Sequence, residues 1–241
     1  RARQLPANVQ VDLVKIRRVL YHAGEVLCAG DATSYRFFIK WLSNVVRGVK
    51  NKTMPMFWSK EYQVGKGIFF NWFATKIVGP AAALVVRGLD QLAKNFTEFL
   101  YGKVFIFIDE ASASNKVEYH SLWDIVKNEV TEPVKLVHKK FMNSEFVENL
   151  TNYVGGTNNN VRVDVDDKRI AVFAPSAAQR DNPQYYKDLA ADFADVAVQD
   201  HFFTYLVRDV PTLPEFRDVE TTGGAIPNTA ARQHMIAINM S

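Results

Sequence analysis

Two spacings of apolar residues alternate along the chain, one helical and one of short unbroken runs, and together they predict helices interleaved with buried strands, an α/β fold. In residues 9–28 the apolar positions Val11, Val14, Ile16, Leu20, Val26 and Leu27 mix with Lys15, Arg17 and Arg18, the pattern of one or two surface helices. After the turn residues Gly30, Asp31, Ala32, Thr33 and Ser34, a packed helix is expected over residues 35–49, where Phe37, Phe38, Trp41, Leu42, Val45 and Val46 fall at helical spacing. Met54-Pro55-Met56-Phe57-Trp58 then predicts a strand, residues 67–78 a helix and residues 85–101 a further helical stretch.

The run Val104-Phe105-Ile106-Phe107-Ile108 is apolar throughout, as in a strand buried on both faces of a parallel sheet. Residues 117–130 read as an amphipathic helix with Leu122, Ile125 and Val126 inward. Val134, Leu136, Val137 and Phe141, interleaved with Lys135, His138, Lys139 and Lys140, predict a strand running into a basic hairpin; a lysine-protected edge strand is the alternative. Further strands are expected at residues 150–156 and Ile170–Phe173, and helix over residues 183–207. Pro211, Pro214, Gly223-Gly224 and Pro227 mark a loop-rich tail ending in a short helical segment.

Composition narrows the class. With 241 residues and 48% hydrophobic content the chain can bury a real core, and one main domain is expected. A net charge of +3 is too small to imply nucleic-acid binding without a local cluster. Cys28 is the only cysteine, which excludes an internal disulfide and a cysteine-rich zinc site; with no signal-peptide pattern it points to a reducing, intracellular compartment. The apolar run over residues 77–86 is too short to span a bilayer, so no membrane partner is expected. A start at Arg1 suggests a piece cut from a longer chain.

Candidate chemistry begins at Gln63-Val64-Gly65-Lys66-Gly67-Ile68, where a Gly-Lys pair enters an apolar, aromatic-rich segment after a strand. In a phosphate-binding loop the backbone N–H groups and the positive end of the following helix surround the phosphates, while the lysine amine, here Lys66, reaches their oxygens. The full pattern asks for glycine where this chain has Lys60, and for Ser or Thr where it has Gly67; a turn with a glycine helix start is the alternative. Downstream, the apolar run ends in Asp109-Glu110, at the strand edge where open α/β sheets bind ligands. Asp109 is a candidate Mg²⁺ carboxylate and Glu110 a candidate base for water. The amides Asn158, Asn159 and Asn160 follow the next expected strand, suited to a loop or to holding a water beside a γ-phosphate. Arg169 closes a charged turn, where a surface salt bridge is the alternative.

Taken in order, these pieces resemble the helicase domain of superfamily 3, hexameric AAA+ ATPases of viruses and plasmids, and more narrowly the helicase half of phage, poxvirus-like and giant-virus primase-helicases. The resemblance runs from about Tyr35 to Asn239 and rests on Gly65-Lys66, Asp109-Glu110, the basic segment, a strand followed by asparagine and a downstream arginine. Asn95-Phe96, Val130-Thr131 and Ile226-Pro227-Asn228-Thr229 also look like the phage and giant-virus branch. It implies a P-loop AAA+ core of three α/β/α layers around a mainly parallel sheet, over residues 49–210, between an N-terminal helical segment (1–48) and a C-terminal tail (211–241).

By that resemblance the cofactors are ATP and Mg²⁺. Lys66 binds the phosphates, Asp109 and Glu110 manage metal and water, and Asn158 senses the γ-phosphate. Arg169 would act as a finger in the neighbouring subunit's site, making the active form a ring. Lys139, Lys140 and Phe141 would contact single-stranded DNA without sequence preference. The implied function is an ATP-dependent DNA helicase or translocase, a homo-hexamer linked to a primase or polymerase domain, in the host cytoplasm or nucleus if viral. The departures at Lys60 and Gly67 support the alternative, a catalytically weak, nucleotide-binding ring-assembly module.

Overall fold

All strands of the main sheet run the same way. β1 (Met54–Trp58), β2 (Ala83–Arg87), β3 (Phe105–Asp109), β6 (Asn152–Thr157) and β7 (Ile170–Phe173) pair in parallel in the order β2-β3-β6-β1-β7. Between β3 and β6 the chain forms a separate antiparallel pair, β4 (Val134–Val137) with β5 (Glu145–Glu148). The computed structural model describes residues 2–92, 100–110, 116–137, 143–223 and 225–240, without the side chains of Asp90 and residues 116–119.

Alternation along each strand sorts the core into two layers. Phe57, Phe105, Phe107, Val154, Ala171 and Phe173 face one side. There they meet α1 (Leu13–Tyr21), α2 (Ala32–Val46), α3 (Lys66–Trp72), α5 (Pro183–Ala194) and α6 (Val196–Thr204). Met54, Met56, Ile106, Ile108, Tyr153, Ile170 and Val172 face the other, against α4 (Lys116–Thr131) and the C-terminal helix Ala230–Met240. Helices on both faces of a parallel sheet give three layers, and residues from both ends of the chain enter the cores: Ile16 and Phe38 in one, Ala231 and Met235 in the other.

The aromatic content of α3 fixes the segment that carries Lys66. Phe70 lies 5.0 Å, ring centroid to ring centroid, from both Phe57 on β1 and Phe107 on β3. Burying each such ring contributes roughly 1.5–3 kcal/mol, so α3 is clamped across β1 and β3, the strands on either side of β6, rather than hinged on its loop. Gly155 permits equally close packing on the other face, since a Cβ there would sit 2.7 Å from the Met56 sulfur.

Three expectations need correction. Residues 85–101 are not one helical stretch: Val85 and Val86 belong to β2, and a short turn of helix, Leu89–Gln91, follows. Pairing with β3 decides this segment, which the preceding alanines made look helical. Ile125 does not point inward; it is 46% exposed, and the buried stripe of α4 is Leu122, Trp123, Val126 and Val130. Lys135, counted with the basic cluster, is buried and donates to the Leu100 carbonyl (3.1 Å) and Thr151 Oγ1 (2.7 Å), holding the β4–β5 pair to the base of the sheet. Asn95-Phe96 and His138, Lys139, Lys140 and Phe141 lie outside the described residues.

Candidate functional site

The strand order sets the site. β6 lies between β1 and β3, with Trp58 beside Thr157 and Asp109 beside Gly156, so three neighbouring strands end at one edge. A cavity of about 740 Å³ opens there, lined by Gln63, Val64, Gly65, Lys66, Gly67 and Ile68 from one segment, by Asp109 and Glu110 from a second and by Thr157 and Asn158 from a third. Its volume falls within the range of small-ligand sites, and its position is the crevice beyond the carboxyl ends of the strands.

Lys66 is the bridge between these segments. Its amine donates to the Thr157 carbonyl (2.9 Å) and to Asn158 Oδ1 (3.4 Å). Burial pushes its pKa down to about 8, against the pull of the Glu110 and Asp109 carboxylates. Asn158 is tied in turn: its amide nitrogen donates to the carbonyls of Ser59 (2.6 Å) and Glu61 (2.9 Å), so it faces the segment leading into the loop.

Backbone strain concentrates here. Gln63 and Glu110, neither of them glycine, adopt φ of 60°, and Gly65 adopts φ of 87°. Left-handed backbone at non-glycine positions costs energy and persists where surroundings over-determine it, as at ligand sites. The surroundings of Gly65 are specific. His22, in a π-helical turn (His22–Leu27) continuing α1, places Nε2 3.2 Å from the Gly65 carbonyl and Nδ1 2.8 Å from the Tyr185 hydroxyl. Since a carbonyl only accepts, Nε2 carries the proton and Nδ1 accepts from Tyr185. Burial lowers the His22 pKa to about 4, so the ring is neutral near pH 7. Tyr186 donates to the Gln63 carbonyl at 3.3 Å.

Mg²⁺ bound with a nucleotide keeps several waters and needs only one or two protein carboxylates besides the phosphates. Asp109 and Glu110 fit that requirement in number and chemistry, whereas Gly67 and Ile68 bring no hydroxyl. Among the described residues no group of three or more His, Cys, Asp and Glu is arranged to hold a metal independently of a ligand.

Arg169 is placed elsewhere. Its carbonyl accepts from the Met54 backbone at the opening of β1, the sheet edge opposite the cavity. Its guanidinium bonds both oxygens of the buried Asp167, at 3.0 and 3.1 Å. Residues not anticipated from the sequence also line the cavity: Arg180, Asp181, Pro183 and Tyr186. A signal existed, since this loop also joins a buried strand to a helix, with Asn182 capping α5 through a bond to the Tyr185 backbone. His22 carried none. Among the described residues no helix is long and apolar enough to cross a membrane.

Comparison with known proteins adds three findings. Residues 57–169, from β1 to the residue before β7, match a family described as a family of unknown function, DUF5906. The DNA primase-polymerase of Nitratiruptor phage NrS-1 is 23% identical over 137 residues, covering 57% of this chain and 19% of that protein. The fold is shared with the apo structure of the NrS-1 C-terminal region, at a TM-score of 0.76 and 16% identity, over 100% of this chain and 54% of that one. A second apo structure of that region, the A form, gives a TM-score of 0.75 at 15% identity. The chain thus spans about half the length of the solved structures it matches and a smaller share of the curated relative.

Proposed function

We propose that this chain is the nucleotide-hydrolysing unit of a viral or mobile-element replication protein, a P-loop ATPase of the AAA+ superfamily 3 kind that moves on single-stranded DNA as a hexameric ring. The observation that carries the reading is the meeting of Lys66, Asp109, Glu110 and Asn158 in one cavity, drawn from the ends of three adjacent parallel strands. Similarity to a phage DNA primase-polymerase supports the replication setting, and with it a primase or polymerase domain in the same or a partner chain and an intracellular site of action.

In this reading the backbone around Gly65 and the Lys66 amine hold the β and γ phosphates of ATP, and Asp109 would hold Mg²⁺. The metal would neutralise charge on the transferring phosphoryl group. Glu110 takes the proton of the attacking water. Asn158 must exchange one of its carbonyl partners, at Ser59 or Glu61, to meet the γ-phosphate, which links occupancy of the cavity to the segment entering the loop. Arg169 acts as a finger in a neighbouring subunit's site, and it must leave Asp167 to do so. Lys139, Lys140 and Phe141 contact the DNA strand.

A second reading, a nucleotide-binding assembly module with weak catalysis, is favoured by one feature: Gly67 offers no hydroxyl to a metal. One experiment separates them. ATP turnover is measured with and without single-stranded DNA, beside Lys66→Ala and Gly67→Ser. DNA-stimulated turnover lost in Lys66→Ala supports the ATPase. Binding without turnover, with turnover appearing in Gly67→Ser, supports the module, and binding unaffected by Lys66→Ala removes both.

A further inference from the structure

Arg180 stands in the loop between β7 and α5 and lines the same cavity as Lys66, from the opposite chain segment. Its guanidinium is paired with Glu61, in the segment leading into the Gly-Lys loop, and with its neighbour Asp181 at 3.0 Å. Both carboxylates are largely in solvent, Glu61 at 54% and Asp181 at 82% exposure. Exposed pairs of this kind are weak, so they persist only while no better anion competes. A phosphate is a better anion: it carries more charge, and the planar guanidinium fork matches two of its oxygens at once.

The charge balance of the cavity points the same way. Among the described residues, Asp109, Glu110 and Asp181 line it, and Lys66 and Arg180 are its cations. The Lys66 amine is already directed at the Thr157 carbonyl and Asn158 Oδ1. Arg180 cuts the excess of carboxylates over cations in the lining from two to one, so without it a polyphosphate would meet a more negative wall.

We propose that Arg180 is a second phosphate-binding cation supplied by the same chain, and that Glu61 is its placeholder, occupying the guanidinium until a nucleotide displaces it. The inference rests on reading the cavity as a nucleotide-phosphate site and adds to it a residue and an exchange. Because the Glu61 carbonyl also accepts from Asn158, displacement of the Glu61 carboxylate acts on a residue bonded to Asn158, which directly follows β6.

The test is the affinity of a fluorescent ATP analogue for the wild type, Arg180→Ala, Glu61→Gln, the double variant and Lys66→Ala, with thermal denaturation of each to show it is folded. Arg180→Ala weakens binding about ten- to hundredfold, the scale of removing charge-assisted hydrogen bonds. Glu61→Gln tightens it severalfold, and that gain disappears in the double variant. If Glu61 and Arg180 merely braced the loop, both single variants would weaken binding alike, and the proposal would be overturned. Tightening by Glu61→Gln that survives in the Arg180→Ala background also overturns it, as general electrostatics would then suffice. Binding that needs Lys66 but ignores Arg180 overturns this inference alone, whereas a wild type that binds no nucleotide removes the site reading with it.

Discussion

His22 donates through Nε2 to the carbonyl of Gly65, 3.2 Å away and 43 residues on in the chain, and so fixes the residue before Lys66 from beneath. The contact leaves no room for a side chain on Gly65, whose Cβ would run into the imidazole ring. The loop is therefore held by packing from α1 and α5 as much as by its own sequence.

The first prediction follows from the buried, neutral ring. The His22 pKa is lowered from 6.5 to about 4 by burial, so the unfolded chain binds more protons than the folded one between those values. Stability from this group is fully present above pH 6.5 and is lost as pH falls toward 4, in total about 3 kcal/mol. Thermal denaturation at pH 7 and pH 4.5, compared between wild type and His22→Gln, checks it. An identical drop in both proteins would show that other groups carry the acid sensitivity.

Two glycines that flank Lys66 should respond oppositely to alanine. Gly65 has φ of 87° and the His22 ring against it, so Gly65→Ala should cost about 1–2 kcal/mol from backbone strain alone, more with the collision, and lose nucleotide binding. Gly67 lies in α3 with only Asn71 Nδ2 near, at 3.9 Å, so Gly67→Ala should be neutral or stabilise by up to about 1 kcal/mol. Urea denaturation of the pair decides it, and equal losses would contradict the geometry.

Nucleotide affinity should depend on pH through Lys66. Its pKa of about 8 means that the ligand-free amine is half charged near pH 8, and phosphates favour the charged form. Above that value binding must take up a proton, and affinity should fall roughly tenfold per pH unit until the pH passes the raised pKa of the nucleotide-bound amine. Titration calorimetry from pH 7 to 9.5, in buffers of differing ionisation enthalpy, measures both affinity and proton uptake. A flat profile would place the phosphates away from Lys66.

Glu110→Gln should bind nucleotide and lose turnover. An amide keeps the shape of the carboxylate but cannot take the proton of water, a loss of roughly 10²- to 10⁴-fold for general-base catalysis. Single-turnover phosphate release is the measurement, and wild-type rates in the variant would assign the base elsewhere.

Lys139→Ala with Lys140→Ala should weaken single-stranded DNA binding equally across sequences and reduce the slope of log affinity against log salt by about 0.7 for each phosphate the protein no longer neutralises. An unchanged slope would mean that the cluster only protects a strand edge.

What the sequence determined by itself was the succession of most elements and the residue types at their ends. The apolar run before Asp109-Glu110 and the Gly-Lys pair after Trp58 declare a buried strand and a loop because burial and turn formation are local demands, written within a few residues. The structure places Asp109 at the end of β3 and Lys66 at the start of α3. Ile125 and residues 85–101 went astray where burial depended on a distant partner, the pairing of β2 with β3 and the rotation of α4 over the sheet. Only the tertiary structure inserted β6 between β1 and β3, and that insertion brings Asn158 to Lys66. Strand order is set by crossovers packed over long range, about which hydrophobic spacing is silent. The same holds for Arg180, Tyr186 and His22: each is an ordinary polar residue in its own segment and acquires a part in the site when folding lays that segment against the loop. Arg169 shows the converse, since its place in the order of motifs said nothing of the sheet edge on which it lies, and there Asp167 holds it.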